Sequence, residues 1–385
     1  MKICIITSTR ADFGLLKNLI FELKEQKFNY KLITLGTHFS NYYGLTLNEI
    51  KESKIKIYKK IFHQIKTDNE IGISETIAKC TKALTINLKK LCPNLLIVLG
   101  DRYEILACAI SAHICGIPVA HIHGGELTHG VIDDAFRHSI TKMSQIHFVA
   151  NRIYKKRVIQ LGENPRNVFV VGGLGVDSIK KVKLISKSKI EKKLNIRFLK
   201  KNILINFHPE TLSKGLARFH IKEILAAIGS LNDTCLIFTM PGADVENKTI
   251  INEIKKFVNQ NKNSFFFKSL GQINYFSILK LVDGMVGNSS SGLLEMPTFK
   301  KATINLGNRQ SGRLKGDSVI DAKIKKKNII NAINKIYQIK YQRKFKLSSN
   351  PYGKGGASKK IGNILKKIKY KNLLNKKFYD IKFYK

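Results

Sequence analysis

Short apolar runs alternate with amphipathic stretches along almost the whole of this 385-residue sequence, and few folds accept that order. Lys2 to Thr7, Tyr30 to Leu35, Leu95 to Leu99, Ile117 to His121, Ile146 to Val149 and Val168 to Val171 read as strands. Between them, Phe13 to Gln26 places Leu15, Leu16, Leu19, Ile20 and Leu23 on one face at helical spacing. Helices are also expected from Ser74 to Leu91, Asp133 to Gln145 and Asn151 to Leu161. Strand and helix in strict alternation call for an α/β fold with a parallel, doubly wound sheet.

The pattern then repeats. Gly172-Gly173 and the Lys-rich stretch from Lys180 to Lys193 read as a hinge. After it come strands at Ile203 to Phe207, Cys235 to Thr239, Ser264 to Lys268, Met285 to Val286 and Ala302 to Leu306, with helices at Ile221 to Leu231, Val245 to Val258 and Ile273 to Leu281. The expected division is a Rossmann-like domain over 1–175, a second over 176–350, and a tail over 351–385 whose helix, Ala357 to Ile368, packs back on the first domain. Both domains are long enough to have their own cores.

In a parallel α/β sheet, ligands bind just past the carboxyl ends of the strands. The stretch from Asn94 to His138 is the richest such place. Two apolar strands there run into Gly100-Asp101-Arg102 and His123-Gly124-Gly125-Glu126, and a helix starts soon after each turn. Ser8-Thr9-Arg10-Ala11-Asp12 follows the first strand without the glycines of a dinucleotide fingerprint, so a nicotinamide enzyme is not expected. No Walker A sequence is present either. In the second half, Gly287-Asn288-Ser289-Ser290-Ser291-Gly292 is a small-residue turn leading into Leu293-Leu294-Glu295. Backbone amides and hydroxyls at a helix start suit a diphosphate, with Glu295 able to accept from ribose hydroxyls; an ordinary polar turn reads the same way.

Charge sets the remaining bounds. The 68 basic residues against 27 acidic ones give a formal charge of +41. Lysine is nevertheless spread over nearly every amphipathic segment, with no zinc-finger spacing and no RNA-binding aromatic motif, so no specific nucleic-acid partner is expected. The six cysteines show no CxxC pair and read as free thiols of a reducing compartment. The first apolar run is too short for a signal peptide, and no stretch approaches the roughly 18 apolar residues of a membrane span. A cytoplasmic protein with no membrane partner, metal or cofactor is expected, with the oligomeric state open between a single chain and a homo-oligomer.

Seven motifs then agree in order with one family. TSTRADFG near the start, GDR at Gly100, HIHGGE at His121, IDD with RH at Ile132 to His138, FHPET at Phe207, GNSSSGLLE at Gly287 and INLGNRQSGR at Ile304 resemble the hydrolysing UDP-N-acetylglucosamine 2-epimerases of the sialic-acid and legionaminic-acid pathways. The resemblance spans about residues 1 to 365. It implies the fold of the B-type glycosyltransferases, two Rossmann-like domains with parallel sheets facing an interdomain cleft that holds the site. It also implies a reaction. Such enzymes remove the proton on sugar C2 and expel the nucleoside diphosphate from C1, leaving a glycal to which water adds with C2 inverted.

Carried over motif by motif, Asp101 and Asp133 fall on the acidic catalytic positions and His208 on the family's histidine near the diphosphate. Arg10 and Arg102 fall on substrate contacts, and Ser289, Ser290, Glu295 and Arg309 on nucleotide contacts, with Arg313 a further cation for the leaving group. Read from the residues alone, Asp101 also fits a turn paired with Arg102, Asp133 a helix cap, and His208 a strand-end histidine. Two departures stand out. Where the sialic-acid branch has a glutamate in HIEGGE, this chain has His123, leaving proton transfer to His123, Glu126 or Asp133. The segment Pro241-Gly242-Ala243-Asp244 lacks the family's asparagine.

The expected substrate is therefore a nucleotide sugar, UDP-N-acetylglucosamine, converted to N-acetylmannosamine and UDP. The alternative is a UDP- or GDP-linked 2,4-diacetamido-2,4,6-trideoxyglucose, which a histidine at position 123 resembles more. A retaining glycosyltransferase shares the fold and would need an acceptor, while a non-catalytic binder would need dispensable Asp101 and Asp133.

Overall fold

A computed structural model of the chain describes residues 1–42, 44–62, 69–129, 131–210, 215–242, 244 and 246–381. Gly130, Thr211 of the Phe207 motif, Ala243, and Val245 at the start of an expected helix lie outside the described residues. The chain divides into two compact units, one of residues 1–126, 132–180 and 352–385, the other of 127–131 and 181–351. Both have the parallel α/β plan of the B-type glycosyltransferase class.

In unit 1 the elements run β1 Lys2–Thr7, α1 Arg10–Glu25, β2 Asn29–Thr34, α2 Leu47–Glu52, β3 Ile57–Lys60, α3 Glu70–Leu91, β4 Leu95–Leu99, α4 Tyr103–Ile114, β5 Val119–Ile122, α5 Asp133–Met143, β6 Ile146–Val149, α6 Arg152–Gln160, β7 Val168–Val170 and α7 Leu174–Lys181. Among the described residues its sheet has seven strands in the order β3-β2-β1-β4-β5-β6-β7, every pairing parallel. Helices cover both faces, so Leu95 to Val98 are fully buried and the strand reads as one apolar run.

Three local results differ from the sequence reading. Helix α1 begins at Arg10, not Phe13, because Thr9 and Asp12 form a capping box that winds the supposed turn into helix. Strand β5 begins at Val119, past Pro118, and runs to Ile122, which puts His121 inside the sheet. The Lys180 to Lys193 hinge does hold the boundary between the two units, but it is largely helical: α7 ends in it, and α8, Lys187–Leu194, buries Ile190. Nor is Gly172-Gly173 a free joint, since Gly173 N–H donates to Tyr352 O at 2.7 Å.

Unit 2 continues with β8 Lys201–Asn206, α9 Ala217–Ile228, β9 Thr234–Thr239, α10 Asn247–Gln260, β10 Ser264–Phe267, α11 Gly271–Leu281, β11 Gly284–Gly287, α12 Ser291–Leu294, β12 Ala302–Leu306, β13 Val319–Ala322, α13 Lys326–Ile336 and α14 Ile339–Leu347. Its described strands form a six-stranded parallel sheet ordered β10-β9-β8-β11-β12-β13. The last helix, α15 Ala357–Lys367, belongs to unit 1. There Ile361 and Leu365 join Leu16, Leu19 and Leu23 of α1 in one core. Asp177 caps its start, accepting from Gly356 N–H at 2.6 Å and Ser358 N–H at 3.0 Å. No helix among the described residues is long and apolar enough to cross a membrane.

Candidate active site

In unit 1 the polar side chains gather at the ends of β4 and β5. Gly100 turns the chain out of β4 with φ +84°, a conformation glycine adopts freely. Its N–H donates to Ile122 O at 3.0 Å, and its carbonyl accepts from His121 Nε2 at 2.8 Å. The other nitrogen of His121, Nδ1, lies 3.1 Å from Thr141 Oγ1. A carbonyl only accepts, so Nε2 carries the proton and Nδ1 accepts from the hydroxyl. Burial pushes this imidazole down to about 3, against the opposing pull of Gly100 O and Asp101, so it stays neutral and holds the Asp101 turn.

Asp101 is anchored by Arg137 of α5. The guanidinium, 1% exposed, pairs with the Asp101 carboxylate, donates to Asp134 Oδ1 at 2.9 Å and to Glu126 O at 3.0 Å. Burial opposes its charge, but Asp101, Glu126 and Asp134 outweigh that and hold it above its ordinary value. One arginine thus joins three of the segments singled out by the motifs. Asp133 opens α5 beside Asp134, and it is Asp134 that reaches Arg137 and, at 3.5 Å, His138 Nε2.

His123 follows β5 in the left-handed region at φ +70°, unusual for a residue with a side chain. Its Nδ1 lies 3.4 Å from Glu126 Oε1, both side chains being buried, and its Nε2 has no hydrogen-bond partner among the described residues. Of the two glycines between them, Gly125 is required by space and Gly124 is tightly packed. A Cβ on Gly125, at φ +77°, would sit 2.4 Å from Tyr154 O, and one on Gly124 3.0 Å from Thr141 Oγ1.

Arg10 is the first residue of α1, over a turn tied by Asp12. The Asp12 carboxylate accepts from Thr7 Oγ1 at 2.7 Å, Ser8 N–H at 2.8 Å and Thr9 N–H at 2.9 Å. Arg102 precedes α4; its Nε donates to Glu104 at 3.1 Å and its guanidinium lies over the Tyr103 ring. Glu104 is fully buried, and burial raises its carboxyl while Arg102 draws it back.

Unit 2 has a second cluster, built around Asn288. Its side chain grips the His208 backbone from both sides, accepting from His208 N–H at 2.7 Å and donating to His208 O at 2.9 Å. Its own carbonyl accepts from Gln310 Nε2 at 2.8 Å and Arg309 Nη1 at 3.3 Å. Gln310 in turn accepts from Arg313 Nη1 at 3.0 Å. Gly242 N–H donates to His208 Nδ1 at 3.1 Å, so the neutral ring carries its proton on Nε2 and presents a donor there. Asp244 Oδ2 stands 3.8 Å from both His208 Nδ1 and Arg309 Nη2. Glu210 fixes the Arg309 loop, accepting from Asn308 N–H at 2.6 Å and Arg309 N–H at 3.1 Å.

Gly287 of the small-residue turn is indispensable: a Cβ would meet Asn206 O at 2.0 Å. The helix after it, α12, has only four residues, so backbone amides and hydroxyls of the turn, more than a helix dipole, are what it offers an anion. Ser289 Oγ accepts from Ser291 N–H at 3.4 Å, Ser290 precedes α12, and Ser291 donates to Glu295.

Nothing in the sequence gives Arg137, Asn288 or Glu210 a role, although each lies in a quoted motif. Their work is to hold other groups, and composition carries no sign of that. Burial would have been the only clue.

The chain is similar to known proteins over nearly its whole length. A family model described as UDP-N-acetylglucosamine 2-epimerase matches residues 22–366. A Campylobacter jejuni protein named GDP/UDP-N,N'-diacetylbacillosamine 2-epimerase (hydrolyzing) is 39% identical over 388 residues, covering 99% of each chain. An Escherichia coli relative, polysialic acid biosynthesis protein P7, is 38% identical, covering 99% of this chain and 97% of that one. Among solved structures, a UDP-GlcNAc 2-epimerase of Neisseria meningitidis bound to UDP-GlcNAc superposes with a TM-score of 0.82 at 20% identity, covering 96% of this chain and 100% of that one.

Proposed function

We propose, from the premise that this chain belongs to the UDP-N-acetylglucosamine 2-epimerase family, that it converts UDP-N-acetylglucosamine to N-acetylmannosamine and UDP by anti elimination to a glycal and hydration. The observation that carries the reading is the His123–Glu126 pair. A buried imidazole nitrogen without a partner costs about 1–3 kcal/mol, and a left-handed backbone adds to that. Such a group persists where it has work to do. Glu126 on the Nδ1 side favours the proton there, which leaves Nε2 with the lone pair of a base.

The C2 proton is weakly acidic, so its removal must accompany loosening of the C1–oxygen bond. Asp101 and Asp133 are assigned to the remaining proton transfers, to the glycal and from the attacking water, with Arg137 fixing the orientation of Asp101. Arg10 and Arg102 contact substrate. In unit 2, His208 offers its Nε2–H and Arg309 and Arg313 their charge to the departing diphosphate, with Ser289 and Ser290 as hydroxyl donors and Glu295 as ribose acceptor. The substrate is thus the chain's partner, and no cofactor is assigned.

A second reading has its own support. His123 stands where the sialic-acid branch has glutamate, and the 39%-identical relative is named for the diacetamido sugar. That sugar offers an acetamido group at C4 and a methyl at C5, and a site built for hydroxyls rejects it by orders of magnitude. Side-by-side turnover of both sugars as UDP and GDP conjugates decides between them. A larger kcat/KM for UDP-N-acetylglucosamine supports the first reading; one a hundredfold smaller than for the diacetamido sugar overturns it in favour of the second.

A further inference from the structure

After α15 the chain over 370–381 packs on unit 1 through residues to which the proposed chemistry assigns no role. Lys376 inserts its ammonium beside the C-terminal end of α5. It donates to Lys142 O at 2.5 Å and Ser144 O at 2.8 Å, and pairs with Glu163 at 2.8 Å. The Glu163 side chain is only 2% exposed and also meets Lys142 Nζ and His147 Nε2, each at 2.9 Å. Two residues on, the Phe378 ring lies under Lys142 Nζ at 4.9 Å and fills the space that a side chain at Gly162 would take. Tyr379 N–H donates to Gly162 O at 2.9 Å.

The position of this anchor matters more than its strength. The last carbonyls of a helix have no partner within it and carry partial negative charge, so an ammonium there both satisfies and neutralises them. Helix α5 has only 11 residues, about 16 Å at 1.5 Å per residue. Its first turn carries Asp133 and Asp134, and Arg137, one turn on, holds Asp101 and the Glu126 carbonyl. The two ends of α5 are therefore fixed by different charged clusters, with Asp101 governed by one of them.

We propose that Lys376 is a positioning residue for the reaction: the tail over 370–381 is a strap that sets α5, and through Arg137 the Asp101 carboxylate. This rests on the reading of Asp101 and Asp133 given above. The contacts of the strap named above are all with unit 1, whereas the groups assigned to the nucleotide belong to unit 2, so its loss should appear in kcat and spare UDP affinity.

The test uses the full chain with Lys376→Met, which keeps the stem and removes the charge, and Lys376→Arg, which restores it. Three quantities are compared: kcat and KM, UDP affinity, and amide hydrogen exchange over 133–143. Expected for Lys376→Met is a tenfold or larger loss of kcat, KM and UDP affinity within threefold, and faster exchange in α5; Lys376→Arg recovers most of the kcat. Unchanged exchange over 133–143 overturns the strap whether or not the sugar has been identified. Faster exchange with unaltered kcat also overturns it, because the anchor is then only structural. A wild-type protein inactive on every sugar nucleotide, with α5 still loosened in Lys376→Met, counts against the catalytic reading and not against the strap. Where Lys376→Met does not fold, Phe378→Ala gives the same set of readouts.

Discussion

Replacing Arg137 by methionine removes one side chain and leaves three acceptors without it: the Asp101 carboxylate, Asp134 Oδ1 and the Glu126 carbonyl. Breaking a buried ion pair by deleting one partner costs about 3–5 kcal/mol, most of it from the charge left behind. Here the abandoned carboxylates are 22% and 25% exposed, so water recovers part of their solvation and the lower end, about 3 kcal/mol, applies. For a unit of roughly 200 residues, each kcal/mol shifts Tm by about 2–4 °C, giving a fall of about 6–12 °C. Turnover should drop by about a hundredfold, the scale of a 1 Å misplacement of a reacting group. Arg137→Lys keeps the charge but not the fork, and should recover stability more than turnover. Thermal unfolding by circular dichroism and steady-state UDP release provide the two readouts. A Tm within 2 °C of wild type, with turnover within threefold, would refute the claim that this guanidinium organises the site.

Other expectations follow from the same contacts. Asp101→Asn and Asp133→Asn should keep the fold and UDP binding yet lose about two to four orders of magnitude in turnover, and near wild-type rates in both would remove them from the chemistry. Arg309→Ala should weaken UDP by about 1.5–3 kcal/mol, and Ser289→Ala with Ser290→Ala should weaken it as well; calorimetry showing unchanged affinity would move the diphosphate elsewhere. His121 titrates at about 3 in the fold against 6.5 when exposed, so the unfolded chain takes up its proton first. Its contribution to stability is complete above pH 6.5 and disappears as the pH falls from there toward 3. Urea unfolding of His121→Gln should accordingly depend less on pH across that window, and an unaltered slope would contradict a neutral, buried imidazole.

The central strands were legible because both their faces are covered. Leu95–Leu99, Ile146–Val149 and Ala302–Leu306 have the same bounds in the structure as in the sequence pattern. The two edge strands not foreseen, β3 and β13, have four residues each and are largely half-buried or exposed, so hydrophobicity does not mark them. At Thr9 the cap decides the boundary, because Asp12 three residues on is enough to start α1 at Arg10. At the candidate site, motif order pointed to segments whose side chains the fold gathers within each unit, whereas the hubs Arg137 and Asn288 emerge only once three or four chain segments are brought together. An arginine after IDD and an asparagine in a small-residue turn look like ordinary surface residues until their burial, 1% and 0%, is known.

The fate of the sugar when no acceptor is present tests the proposed reaction most directly. Incubating the protein with UDP-N-acetylglucosamine in D₂O and following the products by NMR distinguishes elimination from simple hydrolysis, because hydration of a glycal takes the new C2 hydrogen from solvent. Elimination and hydration give free UDP together with free N-acetylmannosamine carrying deuterium at C2. Free N-acetylglucosamine with its original C2 hydrogen, or no UDP until an acceptor is added, would contradict that reaction.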